Sequence, residues 1–285
     1  MEEKDTKKLR KRIITIALAA VAATCLIVLI VLLVRWQWAE KLYEEMRQAA
    51  LTMETETETE SETETETETE TETEEKKPVI IYKDMPKVDF DALQEQNSDI
   101  CAWIKIPGTL VDYPVLRNEK TDDPFDDYYL DHTLDNASGL PGSIYMQPVN
   151  NGDFSDHLTV LYGHNMRNDT MFGSLHDYEN PDFFYEHPYI YVIIPGERKI
   201  YHVYRALNFD NRHLVYAYGT DNTEGTQAFL DDIAPTSEDA LVFPEVGETI
   251  SGDDNLLVLS TCIGGQSGNR LLLVGTLCDT QEIKK

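Results

Sequence analysis

The sequence LLVLSTCIGGQSGNRLLLVGTL, residues 256–277, decides the fold of this chain. Two apolar runs rich in Leu and Val flank a polar segment, residues 264–269. Apolar runs of this kind with turn residues between them predict two adjacent buried strands joined by a hairpin. Cys262 ends the first predicted strand and Arg270 opens the second. A reactive side chain in that place is held by a rigid strand and faces a loop.

These residue types suit nucleophilic catalysis. The guanidinium of Arg270 is always charged, and across the hairpin from the Cys262 thiol it can stabilise a developing oxyanion. A cysteine nucleophile also needs a base, which is usually distant in the sequence. The best candidate is His164, in LTVLYGHNM, because it too follows an apolar strand and a glycine. Other histidines occupy weaker contexts: His132, His176, His187 and His202.

Several motifs occur together in an order typical of one enzyme family. LSTC is followed eight residues later by Arg270, and YGHN lies well upstream. Other matching pieces are WIKIPGT…DYPV (residues 103–115), GSIY (142–145) and MFGSL…Y (171–178). Together they resemble class B sortases, cysteine transpeptidases of Gram-positive cell surfaces. The resemblance covers roughly residues 89–277.

The fold class that follows is mainly β. Short apolar strands separated by turn signals indicate a barrel or a sandwich. The resemblance implies a closed eight-stranded barrel with N-terminal helices and a helical insertion before the catalytic strand. The sequence patterns predict helices in residues 89–103 and 223–234, and strands in residues 104–116 (with a Pro-Gly turn), 142–147, 158–162, 189–194 and 199–208.

The resemblance also implies a mechanism, in which a peptide is transferred through a thioester on Cys262. His164 protonates the leaving amine and then deprotonates the incoming one. Arg270 stabilises the tetrahedral oxyanion. Residues expected to contact substrate are Ser260, Thr261, Tyr162 and Asn165, and no cofactor or metal is expected. Ser260 shares a strand face with Cys262 because side chains alternate along a strand.

Charge and cysteine content limit the other classes of function. The net charge is −28, and most of it lies in the body of the chain. An acidic body argues against nucleic-acid binding, which needs a basic surface. The four cysteines include no CxxC pair, so a zinc site or a thioredoxin motif is not expected. Whether Cys101 and Cys278 form a disulfide is left open.

The N-terminus predicts a single transmembrane helix. Residues 1–12 carry six Lys or Arg, and residues 13–34 carry no charge. A helix of that length spans about 33 Å, which is enough for a bilayer core. The positive-inside rule makes residues 1–12 cytoplasmic and the body extracellular. A cleaved signal peptide is the alternative, but the apolar run is longer than a usual signal core.

Residues 35–77 join the predicted membrane anchor to the catalytic domain. The first part, residues 35–51, suits a helix that continues past the membrane. Residues 52–75 are almost pure Thr-Glu alternation, which has no apolar face and should stay disordered and extended. Such a segment could be a stalk that holds the domain away from the membrane, or an inert linker. The extracellular catalytic domain is expected to occupy residues 78–285.

The expected partners follow from the family and from the anchor. They are the sorting-signal peptide of a secreted protein, an amine acceptor from a peptidoglycan precursor or a pilin, and the membrane. Three alternatives stay open: a pilin-polymerising sortase, a surface cysteine peptidase, and a non-catalytic cell-surface binding module. The signal sequence and the acceptor are not readable from the chain.

Overall fold

The computed structural model describes residues 2–51, 87–234 and 241–283 of the chain. The Thr/Glu-rich residues 52–75 and the expected start of the catalytic domain at residue 78 lie outside the described residues. The predictions made for that segment are therefore not tested by the structure.

A closed eight-stranded β-barrel forms the body of the protein, as predicted. Its ring order is β5-β1-β2-β3-β4-β8-β9-β6, and pairing between β5 and β6 closes it. A two-residue strand, β7, is added to β6 outside the ring. Closure leaves no free sheet edge among the eight strands. The strands are β1 (Ile100–Lys105), β2 (Asp112–Arg117), β3 (Ile144–Met146), β4 (Leu158–Tyr162), β5 (Tyr189–Ile194), β6 (Glu197–Asp210), β7 (Leu241–Val242), β8 (Leu256–Ile263) and β9 (Gln266–Glu282).

Strand β8, which ends with Cys262 and Ile263, lies between β4 and β9 in the barrel. It pairs parallel with β4 on one side and antiparallel with β9 on the other. Its first six residues, Leu256 to Thr261, are all buried. Such continuous burial explains why the sequence shows an unbroken apolar run rather than an alternating pattern.

The hairpin between β8 and β9 is tighter than the sequence predicts. The expected polar segment of residues 264–269 is reduced to Gly264 and Gly265, and β9 begins at Gln266. Gly265 has a φ of +77°, which glycine adopts without steric cost. The pairing register shifts between Cys262 and Ile263, so the polar residues that look like a loop extend β9 instead.

The N-terminal part of the domain differs from its predicted form. Helix α2 (Phe90–Gln96) is capped by Asp89, whose carboxylate accepts a hydrogen bond from the amide of Ala92. The chain then turns into β1 at Ile100, so the prediction of helix through residue 103 is wrong. Trp103 is fully buried in β1, which pairs with both β2 and β5, and this burial outweighs the loosely helical spacing of the apolar residues.

The predicted helical insertion precedes the catalytic strand. Between β6 and β8 the described residues (211–234 and 241–255) form three helices: α4 (Leu214–Tyr218), α5 (Thr223–Ile233) and α6 (Pro244–Gly247). A further short helix, α3 (Pro181–Glu186), precedes β5. Helix α5 confirms the prediction for residues 223–234. It buries Phe229, Leu230 and Ile233 against the barrel.

Helix α1 (Glu2–Leu51) contains the predicted membrane span and continues beyond it. Residues 12–48 form the one segment of the described chain that is long and apolar enough to cross a membrane. From Ile13 to Val34 the large apolar side chains are exposed in the protein alone. Further along, Ala39, Tyr43 and Met46 are buried against the barrel. The first half of the helix is thus free of the domain and the second half packs on it.

No disulfide joins any two of the four cysteines, all of which lie in the described residues. Cys101 and Cys278 are half-buried, and their thiols lie 3.5 Å from the carbonyl of Val115 and 3.2 Å from the carbonyl of Ile200. The disulfide that the sequence left open is therefore not formed. Burial raises the pKa of the Cys101 thiol to about 12. Within the barrel domain Cys262 alone has an exposed thiol among the described residues.

Candidate active site

Cys262 and Arg270 lie directly opposite each other on β8 and β9. Directly opposed residues of an antiparallel pair place their side chains on the same sheet face, with Cβ atoms about 5 Å apart. Cys262 is exposed, whereas Arg270 is half-buried and donates from Nη1 to the carbonyl of Asn269 at 3.0 Å. No carboxylate of the described residues lies within 4.0 Å of the Arg270 guanidinium. Its charge is therefore available to a bound group.

His164 reaches the same place from the neighbouring strand. Strands β4 and β8 are in parallel register, with Tyr162 paired to Ser260. Both chains run on for two residues from this pair, to His164 and to Cys262. The contact persists beyond the end of β4, because the Thr261 hydroxyl donates to the carbonyl of Gly163 at 2.9 Å. Adjacent strands lie about 4.8 Å apart, so the predicted base stands beside the predicted nucleophile.

A backbone carbonyl orients the imidazole of His164. Its Nε2 lies 2.8 Å from the carbonyl oxygen of Leu130, at the end of a 3-10 turn of Tyr128–Leu130. A carbonyl can only accept, so the proton of the neutral ring sits on Nε2. Nδ1 is then the nitrogen that can take a proton. The sequence could not indicate this partner, since every residue type carries the same carbonyl.

A second histidine meets the backbone of Cys262. Nε2 of His176 lies 3.1 Å from the Cys262 carbonyl, and its Nδ1 lies 3.0 Å from Oε2 of Glu179. Nδ2 of Asn165 donates to the same Cys262 carbonyl at 2.9 Å and lies 2.9 Å from Nε2 of His176. A neutral His176 accepts from Asn165, whereas a protonated His176 donates to the carbonyl. This cluster holds the peptide group that follows the thiol in the chain.

The structure corrects the weak rank that the sequence gives to His176. The residue lies in a 3-10 turn, Gly173–Glu179, in the segment that follows His164. The only sequence signal was its place in the MFGSL…Y motif, beside the acidic Glu179 three residues later. A tertiary fold was needed to bring it to Cys262, because the two residues are far apart in the chain.

The residues expected to contact substrate occupy different environments. Asn165 contacts the Cys262 carbonyl, and the Thr261 hydroxyl is buried in its bond to Gly163. Ser260 is 6% exposed. The hydroxyl of Tyr162 is buried and has no hydrogen-bond partner among the described residues. Burial raises the pKa of Tyr162.

Comparisons with known proteins bear on the family of the chain. No protein-family model matches it. It is 32% identical over 173 residues to "Sortase B" of Listeria monocytogenes, a match that covers 60% of this chain and 65% of that protein, just under two thirds.

Two solved structures also match. Sortase B of Clostridium perfringens is 27% identical with a TM-score of 0.58, over 67% of this chain and 100% of that one. The Staphylococcus aureus sortase B-substrate complex is 27% identical with a TM-score of 0.53, over 66% and 84%. These matches, one in sequence and two in fold, support a class B sortase.

Proposed function

We propose that the protein is a membrane-anchored cysteine transpeptidase that acts on C-terminal sorting signals of secreted proteins. The single observation that carries the proposal is the strand register, which brings the backbones of three candidate residues next to one another. Cys262 and Arg270 are cross-strand partners, and His164 stands beside Cys262 on the parallel neighbour of its strand. A nucleophile, a base and an oxyanion-stabilising cation within one cluster are the parts that acyl transfer requires.

In the first half-reaction the Cys262 thiolate attacks the carbonyl carbon of the scissile peptide bond. The new C–S bond gives a tetrahedral intermediate, and its oxyanion is stabilised by Arg270. The C–N bond then breaks, and protonated His164 gives its proton to the leaving amine. The products of this step are a thioester on Cys262 and the released C-terminal peptide.

In the second half-reaction an amine attacks the thioester carbonyl. His164, now neutral, takes the proton of the amine, the C–S bond breaks, and the thiolate of Cys262 is restored. One peptide bond is lost and one amide is gained, so no oxidant or cofactor is consumed. Such a sequence predicts ping-pong kinetics.

Substrate contacts are proposed for the residues around the two strand ends. Ser260 and Tyr162, a register pair on β8 and β4, lie just before Cys262 and His164. We expect these two to contact the peptide backbone, and Asn165 and Thr261 to shape the site through their bonds to the backbone. The substrate class is a peptide, in keeping with the solved complex of the Staphylococcus aureus relative with its substrate.

The acceptor and the location are also proposals. An amine of the cell wall is the acceptor we favour, and a pilin amine is the alternative. Six basic residues precede the apolar run, which supports a cytoplasmic segment at residues 1–12 and a membrane anchor at 13–34. The juxtamembrane and Thr/Glu-rich residues 35–77 would then lead to an extracellular catalytic domain at 78–285.

Mass spectrometry of the full-length chain in detergent tests the proposal. The protein is incubated with a library of pentapeptide signals of the Asn-Pro and Leu-Pro types, with and without amine acceptors. We expect an acyl adduct on Cys262 that an added amine releases as a new amide. The Cys262→Ala variant is the control and should form no adduct while it keeps its fold. Peptide binding that is equal in both proteins, with no adduct in either, would instead support a non-catalytic binding module.

A further inference from the structure

Helix α1 touches the barrel along one stripe. Ala39, Tyr43 and Met46 are 7%, 5% and 2% exposed, and they recur at intervals of four and three residues. Side chains at this spacing lie on one face of a helix. Glu45, on another face of the same turn, has an exposed side chain. We call residues 35–47 the docking segment.

Tyr43 is the centre of the contact. Its hydroxyl lies 2.6 Å from the carbonyl of Gly142 and 3.0 Å from Oγ of Ser143, and both groups are buried. Its ring packs edge-on against the ring of Tyr113, with centroids 5.6 Å apart. The Arg47 guanidinium lies 5.4 Å from the Tyr113 ring centroid, which extends the contact by one helical turn.

The backbone that Tyr43 contacts leads directly to the catalytic histidine. Gly142 has a φ of +65° and packs so closely on the carbonyl of Leu130 that a Cβ there would lie 2.2 Å from its oxygen. That same carbonyl oxygen accepts from Nε2 of His164. A shift of the Gly142 segment would therefore move the group that orients the imidazole. Two residues, Gly142 and Leu130, separate Tyr43 from His164 along this path of contacts.

The docking segment also meets the loop on the other side of His164. Oε1 of Glu40 accepts a hydrogen bond of 2.5 Å from Nδ2 of Asn168. Asn168 follows Asn165, which holds the carbonyl of Cys262. The guanidinium of Arg35 donates to the carbonyl of Ser138, four residues before Gly142. The helix therefore contacts both the segment that packs on Leu130 and the loop that follows His164.

The predicted membrane span reaches the same loops. A cavity of about 590 Å³ is lined on one side by Leu32, Arg35 and Trp36 of α1, and on the other by Gly139, Leu140 and residues 165–168. Leu32 belongs to the apolar run that ends at Val34. Tyr43 follows Val34 by nine residues, or about 14 Å of helix. The loop that carries Asn165 is thus level with the end of the membrane span.

We propose that the docking segment is a positioning element for His164 and holds the active site at the membrane surface. This inference deepens the proposed function and rests on it. Tyr43 acts through Gly142 and Leu130 and touches no reacting atom, so it is a positioning residue. Since the helix is continuous from the span to the contact, the catalytic domain cannot leave the membrane surface while it remains docked.

Cysteine labelling in lipid nanodiscs tests the docking without any need for activity. Single cysteines replace Met46 or Glu45 in full-length Cys262→Ala protein, and peptide mapping follows their reaction with an impermeant maleimide. The two positions are adjacent on the helix and equally far from the membrane. We expect Met46→Cys to react at least about tenfold more slowly, because its labelling requires the helix to undock. Equal rates at both positions would overturn the proposal.

Acylation kinetics of the full-length protein test the positioning. Tyr43→Phe removes the hydroxyl and keeps the ring, and we expect about a fivefold lower rate of thioester formation on a soluble peptide. Tyr43→Ala removes both, and we expect a loss of about thirtyfold with an unchanged KM, since misplaced catalytic groups reduce kcat. Glu45→Ala, in the same helix, should match the unchanged protein.

The outcomes are separable. A Tyr43→Ala protein that remains docked by labelling and acylates at the full rate would refute a positioning role. An unchanged protein that forms no thioester with any signal peptide would refute the proposed function, and with it the positioning of a catalytic base. The labelling result would then still decide whether α1 docks on the domain.

Discussion

The two strand ends that meet at the active site are held in different ways. Cys262 is fixed locally, by the hairpin to β9 and by the side chains of Asn165 and His176 on its carbonyl. His164 is fixed remotely, by the carbonyl of Leu130, which in turn packs against Gly142. The proposed nucleophile thus depends on contacts close to its own hairpin, whereas the proposed base depends on a segment that contacts the docking segment. Substitutions near the Cys262 hairpin and substitutions near Leu130 and Gly142 should therefore affect catalysis and stability differently.

The largest effect is expected at the cross-strand partner of the nucleophile. Arg270→Lys keeps the positive charge and loses the planar fork, and we expect kcat to fall about a hundredfold because one oxyanion donor geometry is lost. KM should change little. Single-turnover acylation with a signal peptide measures the effect. A rate within a factor of about two of the unchanged protein would mean that Arg270 does not stabilise the oxyanion.

The next largest effect is expected at Gly142, which packs on the Leu130 carbonyl that orients His164. Gly142→Ala would place its Cβ against the Leu130 carbonyl, and its φ of +65° adds strain. We expect kcat to fall about thirtyfold and the free energy of unfolding to fall by about 1–3 kcal/mol. Acylation rates and urea unfolding measure the two quantities.

Gly264→Ala is the matched control for that substitution. Gly264 lies in the catalytic hairpin, and nothing lies within 4 Å of the position its Cβ would take. We expect it to be close to neutral in both measurements. Equal losses in the two variants would contradict the view that the Leu130 contact is what matters.

A smaller effect is expected at His176, which with Asn165 contacts the Cys262 carbonyl. His176→Ala removes one of its two polar partners and leaves Asn165 in place, so we expect about a tenfold lower acylation rate. His176→Gln can still donate to the carbonyl and should recover most of the loss. A pH–rate profile would show whether the protonation state of His176 matters, because the neutral ring accepts from Asn165 and the protonated ring donates to Cys262. If His176→Gln acylates as slowly as His176→Ala, then a hydrogen bond to the Cys262 carbonyl is not what His176 contributes.

The smallest effect is expected at the register pair before the catalytic residues. Ser260→Ala removes a hydroxyl that is 6% exposed and lies two residues before Cys262. If Ser260 contacts the peptide, KM should rise about threefold while kcat is unchanged. Steady-state kinetics with the best signal peptide measures it. An unchanged KM would limit Ser260 to a lining role in the barrel.

The sequence predicts the barrel well wherever apolar runs are continuous. The bounds predicted for β4 and β5 match the structure, because both are compact apolar runs with clear turn signals. It fails at Ile100 and Trp103, where helical spacing is outweighed by pairing of β1 with two neighbours. It also overestimates the hairpin loop, since polar residues 266–269 belong to β9, where Gln266 pairs with β8 and Asn269 pairs with β6.

In the candidate site, too, the sequence indicates some features and leaves others to the tertiary fold. Cys262, His164 and Arg270 could be chosen as candidates from the sequence because they stand at the ends of predicted strands, and their catalytic roles stay predictions. The role of the Leu130 carbonyl could not, because a backbone group has no residue-type signal. The contacts of His176 and Tyr43 needed the tertiary fold, since His176 lies far from Cys262 in the chain and Tyr43 lies far from Gly142.

The proposed docking of α1 bears on whether the length of the Thr-Glu repeat sets the distance of the domain from the membrane. Residues 52–86 leave α1 after its docking segment and return to the domain just before α2. Under the proposed docking and membrane anchoring, they connect two parts of one folded unit, and we expect the number of repeats not to set the distance of the enzyme from the bilayer. Insertions or deletions of repeats should be tolerated without a change in which proteins are processed. If the docking holds as proposed, we expect the enzyme to meet its substrates at the membrane surface, whatever the length of the repeat.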